Sequence, residues 1–119
     1  MKVCVVEDDA SMRRALRRLL KAANYNVIDF ESAEALLQSA EVSTIDCLVA
    51  DVNLPGCSGF ELIKSLSQVR PLPPTIVITS FDYPGLEQDV LKQGAISYLK
   101  KPFEGQDLLA IIQSIESPS

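Results

Sequence analysis

The sequence contains no histidine, and only three of its 119 residues are cysteine. Without histidine the chain has no Ser-His or Cys-His nucleophile, no histidine general base and no phosphohistidine of its own. The cysteines are odd in number and lack Cys-x-x-Cys spacing, which favours reduced thiols over a disulfide framework or a zinc site. Any chemistry must therefore come from carboxylates, hydroxyls and lysines.

Long apolar segments are also absent from the sequence. No uninterrupted apolar run approaches the ~20 residues that a membrane helix needs, and acidic residues follow the first apolar run too soon for a signal peptide. We therefore expect a cytoplasmic protein. With 11 basic and 16 acidic residues the formal charge is −5, which argues against a nucleic-acid site. A composition of 47% hydrophobic and 23% charged residues at this length indicates one globular domain.

Apolar runs alternate with helical patterns along the chain. The predicted strands are 2–6, 25–30, 45–50, 75–79 and 96–99. Helices are predicted over 11–23 with Asp9 as N-cap, from Ser32, from Ser58, over 86–94 and after Pro102. Five strands alternating with five helices predict an α/β fold, a doubly wound parallel sheet with helices on both faces. Ligands of such a sheet bind beyond the carboxyl ends of its strands.

Polar residues capable of chemistry follow four of these strands. Glu7 and Asp8 follow the first strand, and Asp51 follows the third. Thr79 ends the fourth strand, and Lys101 lies just beyond the fifth. Oxygen ligands without histidine or cysteine favour a hard cation such as Mg²⁺, which would relieve repulsion among the three acids.

The lysine, Lys101, and the hydroxyl of Thr79 complete a site for a phosphoryl group. Phosphoryl transfer needs charge on the equatorial oxygens neutralised and the group held in line with its nucleophile. A carboxylate can be that nucleophile. Asp51 is the central carboxylate and is the predicted nucleophile.

Over essentially its whole length the chain resembles the CheY-like receiver domain of two-component response regulators. The matching residues occur in the family's order and spacing: Glu7-Asp8, Asp51 followed by Pro55 and Gly59, Thr79-Ser80, Gly94-Ala95, and the run from Tyr98 to Phe103. The sequence is most similar to the branch that precedes a helix-turn-helix output domain.

The resemblance implies a flavodoxin-like sheet with strand order 2-1-3-4-5. It also implies that Asp51 accepts a phosphoryl group from a sensor histidine kinase or a phosphotransfer protein. In the implied site Asp8, Asp51 and the backbone carbonyl of Asn53 bind Mg²⁺, while Glu7 acts through a metal-bound water. Lys101, rather than Lys100, contacts the phosphoryl oxygens because it directly precedes Pro102, in a bond that the resemblance implies to be cis.

The resemblance further implies a conformational switch. Thr79 contacts the phosphoryl group and shifts toward it, Tyr98 turns inward, and the surface around helix 4, strand 5 and helix 5 changes. Such a domain assists its own phosphorylation and dephosphorylation without being a conventional enzyme. Residues 1–116 would form the receiver domain and 117–119 the start of a linker or C-terminal tail, with an effector domain beyond this chain and a phosphorylation-dependent homodimer as implied partners.

Several residues depart from the family pattern or have two interpretations. Glu7 stands where aspartate is more frequent, and Asp9 is interpreted as an N-cap outside the metal shell. Phe81 and Asn53 flank the path of attacking water and would influence phosphoryl lifetime. Cys57 beside the site is a hypothetical redox-sensitive thiol. The basic face of the first helix is either a solvated surface or a kinase-docking surface: Arg13, Arg14, Arg17, Arg18 and Lys21.

Three other functions compete with this prediction. A flavodoxin-like electron carrier needs a phosphate cradle where this chain has Glu7, Asp8 and Asp9. A haloacid-dehalogenase-type phosphatase needs a second acid two residues after its nucleophile, where this chain has Asn53. A degenerate receiver that acts only as a phosphorylation-independent docking module remains the non-catalytic alternative, against which the complete set of site residues argues.

Overall fold

A computed structural model describes residues 1–54, 56, 58–80 and 83–116. Its five strands are all parallel: β1 (Lys2–Val6), β2 (Asn26–Phe30), β3 (Cys47–Asp51), β4 (Thr75–Thr79) and β5 (Ser97–Lys100). They form one sheet in the order β2-β1-β3-β4-β5, which confirms the predicted fold class and strand order. The predictions for Pro55, Cys57, Phe81 and residues 117–119 lie outside the described residues.

Five α-helices connect or follow the strands: α1 (Ala10–Ala22), α2 (Ala33–Leu37), α3 (Gly59–Val69), α4 (Leu86–Lys92) and α5 (Gly105–Glu116). A short 3-10 helix, Ala40–Ser43, lies between α2 and β3 and was not predicted. In the described part of the chain no helix combines the length and apolar character needed to cross a membrane.

The starts of α1, α2 and α3 are fixed by side chains that accept hydrogen bonds from the first backbone N–H groups. The carboxylate of Asp9 accepts from the N–H groups of Ser11 and Met12, which confirms it as the N-cap of α1. The hydroxyl oxygens of Ser32 and Ser58 accept in the same way at α2 and α3. These contacts satisfy donors that helix geometry leaves without partners.

Two apolar layers enclose the sheet. On one face Val3, Val5 and Ile76 pack with residues of α1 and α5, including Leu16, Leu20, Leu108 and Ile112. On the other face Cys4, Val6 and Leu48 pack with residues of α2 and α3, including Leu36, Leu62 and Leu66, and a third cluster lies under α4. Because both faces are covered, β1, β3 and β4 are continuously apolar rather than alternating.

Cys4 and Cys47 are free and buried, as expected for inert core residues. Burial raises the pKa of the Cys47 thiol to about 12 and raises that of Cys4 as well. Neither thiol forms an appreciable thiolate at neutral pH, so neither is a reactive group.

The predicted boundaries of β2, β3 and β5 differ from the observed ones, and β2 begins at Asn26 rather than Tyr25. β3 begins at Cys47 rather than Ile45, although Ile45 is buried in the layer under α2 and α3. β5 begins at Ser97, and Ile96 before it is 47% exposed. In the last two cases an apolar residue precedes the ladder, so apolar character alone places the strand start too early.

Candidate functional site

The carboxyl ends of β1, β3 and β4 place acidic and hydroxyl groups at one edge of the sheet. Glu7 and Asp8 directly follow β1, Asp51 is the last residue of β3, and Thr79 is the last residue of β4. Carboxylate oxygens of Glu7, Asp8 and Asp51 all lie within 4.8 Å of one another. Glu7 and Asp51 are buried, whereas Asp8 is exposed. The structure therefore brings the three predicted acids together.

Lys101 joins two of these acids. Its Nζ atom donates to Asp51 Oδ2 at 2.8 Å and also to Glu7 Oε1. Its backbone N–H donates to the carbonyl oxygen of Thr79 at 2.6 Å, which anchors the residue at the end of the sheet. The following bond to Pro102 is cis, as the resemblance implied, and Lys100 is exposed.

Burial and charge shift the ionisation of this group. Burial raises the pKa of Glu7 with a smaller contribution from the negative charge of Asp51, while hydrogen bonds from Lys101 and the Asp9 N–H oppose the rise. Burial alone would lower the pKa of Lys101, but its hydrogen bonds to Asp51 and Glu7 and their charges outweigh burial and raise it. Lys101 is therefore a cation at neutral pH and offsets part of the acidic charge.

Asn53 connects Asp51 to Thr79. The backbone N–H of Asn53 donates to Asp51 Oδ1 at 2.8 Å, and its side-chain Nδ2 donates to Thr79 Oγ1 at 3.2 Å. Thr79 itself is fully buried. Asn53 is predicted from the sequence to offer a metal-binding carbonyl and to lie beside attacking water, and its contact with Thr79 is an additional feature that the sequence does not indicate.

Gly59 allows α3 to begin close to the end of β3. A Cβ atom at this position would lie 2.5 Å from the carbonyl oxygen of Asp51 and 2.8 Å from the Cα of Val52. The Gly59 N–H donates to the Val52 carbonyl at 3.0 Å. The glycine eight residues after Asp51 thus has a steric reason, because any side chain would collide with the backbone that carries this acid.

Tyr98 lies half-buried in β5, opposite Val77 of β4 in the ladder. It packs against the cluster under α4 that includes Leu86 and Val90. The structure therefore places Tyr98 between the sheet and α4.

Arg13 differs from the other cations of the predicted basic face. Arg14, Arg17, Arg18 and Lys21 line one surface cleft on α1. Arg13 instead donates from Nη1 to the backbone carbonyl of Glu7 at 2.8 Å, and its Nε lies 3.4 Å from Oδ2 of Asp29 in β2, an acid that Arg17 also contacts. The sequence prediction of Arg13 as part of an exposed basic face is wrong, because Asp29 and the turn after β1 both lie within its reach.

The donor set fits a hard divalent cation. All three clustered acids offer carboxylate oxygens, and the chain has no histidine that would favour a softer metal. Two of the acids also accept from Lys101, so the cluster already lies against one cation.

Comparison with known proteins gives the family. The sequence model of one protein family, the response regulator receiver domain, matches residues 3–113 of the chain. The chain belongs to this family. Receiver domains are the phosphorylation-dependent signalling modules of two-component systems, and they generally bind Mg²⁺.

Two curated relatives come from Bradyrhizobium diazoefficiens. The transcriptional regulatory protein FixJ is 39% identical over 113 residues, covering 94% of this chain and 55% of its own length. Nodulation protein W is 40% identical over 115 residues, covering 96% of this chain and 51% of its own length. Among solved structures, that of the response regulator StyR has a TM-score of 0.86 at 39% identity, covering 97% of this chain and 59% of its own. This receiver chain thus spans about half the length of these relatives.

Proposed function

We propose that Asp51 accepts a phosphoryl group from the phosphohistidine of a sensor histidine kinase or a phosphotransfer protein in the cytoplasm. One observation carries the proposal: the buried Asp51 carboxylate is hydrogen-bonded to Lys101 within a cluster of three acids. A cation and a nucleophile thus lie side by side at the edge of the sheet where ligands of this fold bind.

Two hydrogen bonds orient the nucleophile. Asp51 Oδ1 accepts from the Asn53 N–H and Oδ2 accepts from Lys101. In the transfer, a bond forms between an Asp51 oxygen and phosphorus while the phosphorus–nitrogen bond of the donor breaks, and its electron pair stays with the departing imidazole. An ammonium group has three N–H donors, and the two carboxylates occupy two of them, so Lys101 retains one for a phosphoryl oxygen.

The remaining residues complete the charge balance. Asp8, Asp51 and the carbonyl of Asn53 would hold Mg²⁺, with Glu7 acting through a water molecule. When bound, Mg²⁺ supplies positive charge that neutralises the phosphoryl oxygens. Glu7 also accepts a hydrogen bond from Lys101, so this buried acid holds the ammonium in place beside Asp51.

Signal output would begin at Thr79. Its hydroxyl oxygen accepts from Asn53, so its O–H can still donate to a phosphoryl oxygen, and the contact with Asn53 breaks only if Thr79 shifts out of its reach. Tyr98 would follow inward and change the surface around α4, β5 and α5. We propose that this surface controls an effector domain or a phosphorylation-dependent homodimer, with residues 1–116 as the receiver unit and 117–119 as the start of a linker or tail.

The test is intact mass spectrometry after incubation with a small phosphodonor and Mg²⁺. We expect a single phosphoryl adduct that is absent with EDTA and absent from Asp51→Asn. Asp107→Asn, which removes an exposed acid at the start of α5, is the matched control and keeps the adduct. A folded protein that forms no adduct and binds no Mg²⁺ would instead be the phosphorylation-independent docking module.

A further inference from the structure

Arg13 supports the turn that carries two of the acids. Its guanidinium donates to the backbone carbonyl of Glu7, and Asp29 of β2 lies on the other side of the guanidinium. Arg17 pairs with the second oxygen of Asp29. The Arg13 and Asp29 side chains are only 19% and 20% exposed, so this is a partly buried arrangement rather than a solvated pair.

The carbonyl of Glu7 belongs to the peptide that joins Glu7 to Asp8. Because a peptide is planar, holding this oxygen also restrains the nitrogen and the Cα atom of Asp8, from which its side chain leaves the backbone. The other polar atoms of Glu7 have partners too: its N–H donates to Phe30, and its carboxylate accepts from Lys101 and the Asp9 N–H. Of these contacts, that of Arg13 is to the peptide that Glu7 shares with Asp8.

We propose that Arg13, oriented by Asp29, is a positioning residue that holds the Glu7-Asp8 peptide so that the Asp8 carboxylate faces Asp51 in a geometry suited to Mg²⁺. This inference rests on the proposed function, which assigns Mg²⁺ to these acids. Lys101 holds the carboxylates of Asp51 and Glu7 but not that of Asp8. Asp8 is exposed, so its orientation depends on the backbone that carries it.

The sign of the effect separates positioning from simple electrostatics. A cation near a metal site repels Mg²⁺, so removing a positive charge should tighten Mg²⁺ binding if charge alone matters. Loss of positioning weakens binding instead. Arg14 is the matched control, since it is the next residue on α1 and carries the same charge but is exposed and lines the basic cleft.

Calorimetric titration of the full chain with Mg²⁺ provides the test. We expect Arg13→Gln to weaken Mg²⁺ affinity about tenfold, the lower end of what outer-shell contacts contribute at metal sites. Arg14→Gln should leave the affinity unchanged or slightly higher. Arg13→Lys should retain part of the wild-type Mg²⁺ affinity, because an ammonium can still donate to the Glu7 carbonyl. It lacks the forked guanidinium that also reaches Asp29.

A double variant tests whether Asp29 acts through Arg13. Asp29→Asn alone should weaken Mg²⁺ binding, and Arg13→Gln with Asp29→Asn should weaken it no more than Arg13→Gln does, because the two changes remove one unit. The melting temperature of each variant without Mg²⁺ shows whether it folds. If Arg13→Gln does not fold, the same comparison is made with Arg13→Lys and Asp29→Asn.

The outcomes distinguish this inference from the proposed function. If the wild type binds Mg²⁺ and Arg13→Gln matches Arg14→Gln, positioning by Arg13 is overturned and the proposed function stands. If the wild type neither binds Mg²⁺ nor forms the phosphoryl adduct, the proposed function fails and the positioning role falls with it.

Discussion

Lys101 couples the stability of the protein to its chemistry, because its ammonium pairs with two buried acids and offsets part of their charge. We expect Lys101→Gln to lower the free energy of unfolding by about 2 kcal/mol without Mg²⁺, since it leaves Asp51 and Glu7 close together without their cation. The same change should slow phosphoryl transfer strongly. Urea unfolding and adduct formation measure the two effects. Lys100→Gln, at an exposed neighbour, should leave adduct formation unchanged, and an equal slowing in that variant would contradict the assignment.

Asn53 acts on two residues through different atoms, and mutation can separate them. Asn53→Ala keeps the N–H that holds Asp51 and removes the amide that donates to Thr79. If Thr79 must leave this partner on phosphorylation, losing a hydrogen bond of about 1 kcal/mol should raise the ratio of phosphorylated to unphosphorylated protein about fivefold. Equilibration with a small phosphodonor, followed by intact mass, measures that ratio. An unchanged ratio would show that the contact persists in the phosphorylated protein.

At the scale of elements, the approach of α3 to β3 depends on Gly59. Gly59→Ala would place a methyl group 2.5 Å from the Asp51 carbonyl, so either α3 or the end of β3 must move. We expect a loss of about 1–3 kcal/mol in unfolding free energy and slower phosphorylation. Gly105→Ala is the matched control, because the atoms nearest to its methyl group would belong to the flexible side chain of Leu19, the first at 3.0 Å. Equal destabilisation of both variants would refute the steric argument.

The last turn of α5 is tied to the start of β2. The buried Tyr25 hydroxyl donates to Glu116 at 3.0 Å, and burial together with that carboxylate raises the pKa of Tyr25. A raised folded-state pKa means that this stabilisation is complete below the unfolded value of about 10 and is lost as pH rises through the folded value. Tyr25→Phe should therefore lose about 1 kcal/mol at neutral pH and show a smaller alkaline loss than the wild type. Thermal unfolding across pH measures both effects.

Sequence reasoning succeeded where one local pattern had one structural consequence. The apolar runs of β1 and β4 gave correct bounds because both faces of these strands are buried, and Asp9 capped α1 as predicted. The strand-end rule then located Glu7, Asp8 and Asp51, since parallel strands end at the same edge.

The missed features depend on tertiary placement. The contact between Arg13 and Glu7 requires Asp29 of β2 to lie beside α1. The hydrogen bond from Asn53 to Thr79 joins residues near the ends of two neighbouring strands, β3 and β4. Neither has a local sequence signature. Ile96 shows the opposite error, because an exposed apolar residue at the edge of the sheet resembles a strand residue in sequence.

On the scale of the whole molecule, the charge of the chain is unevenly distributed. The formal charge is −5, three acids meet at the carboxyl edge of the sheet, and four cations line one cleft on α1. Repulsion among the clustered acids opposes folding, and Lys101 offsets it only in part. A bound divalent cation would remove the remainder in the folded chain alone, because the unfolded chain separates these acids.

This repulsion makes Mg²⁺ a stabilising ligand in our proposal, with an effect that depends on Asp8. A ligand of the folded state at ten times its Kd stabilises a protein by about 1.4 kcal/mol, which corresponds to a rise of roughly 5 °C in Tm for a domain of this size. We expect this rise in the wild type when Mg²⁺ replaces Na⁺ at constant ionic strength. Asp8→Asn should abolish most of the rise while leaving the Tm without Mg²⁺ unchanged or higher, because it also removes one repelling charge. Asp107→Asn should keep the full rise, and an Asp8→Asn protein stabilised as much as the wild type would place Mg²⁺ elsewhere.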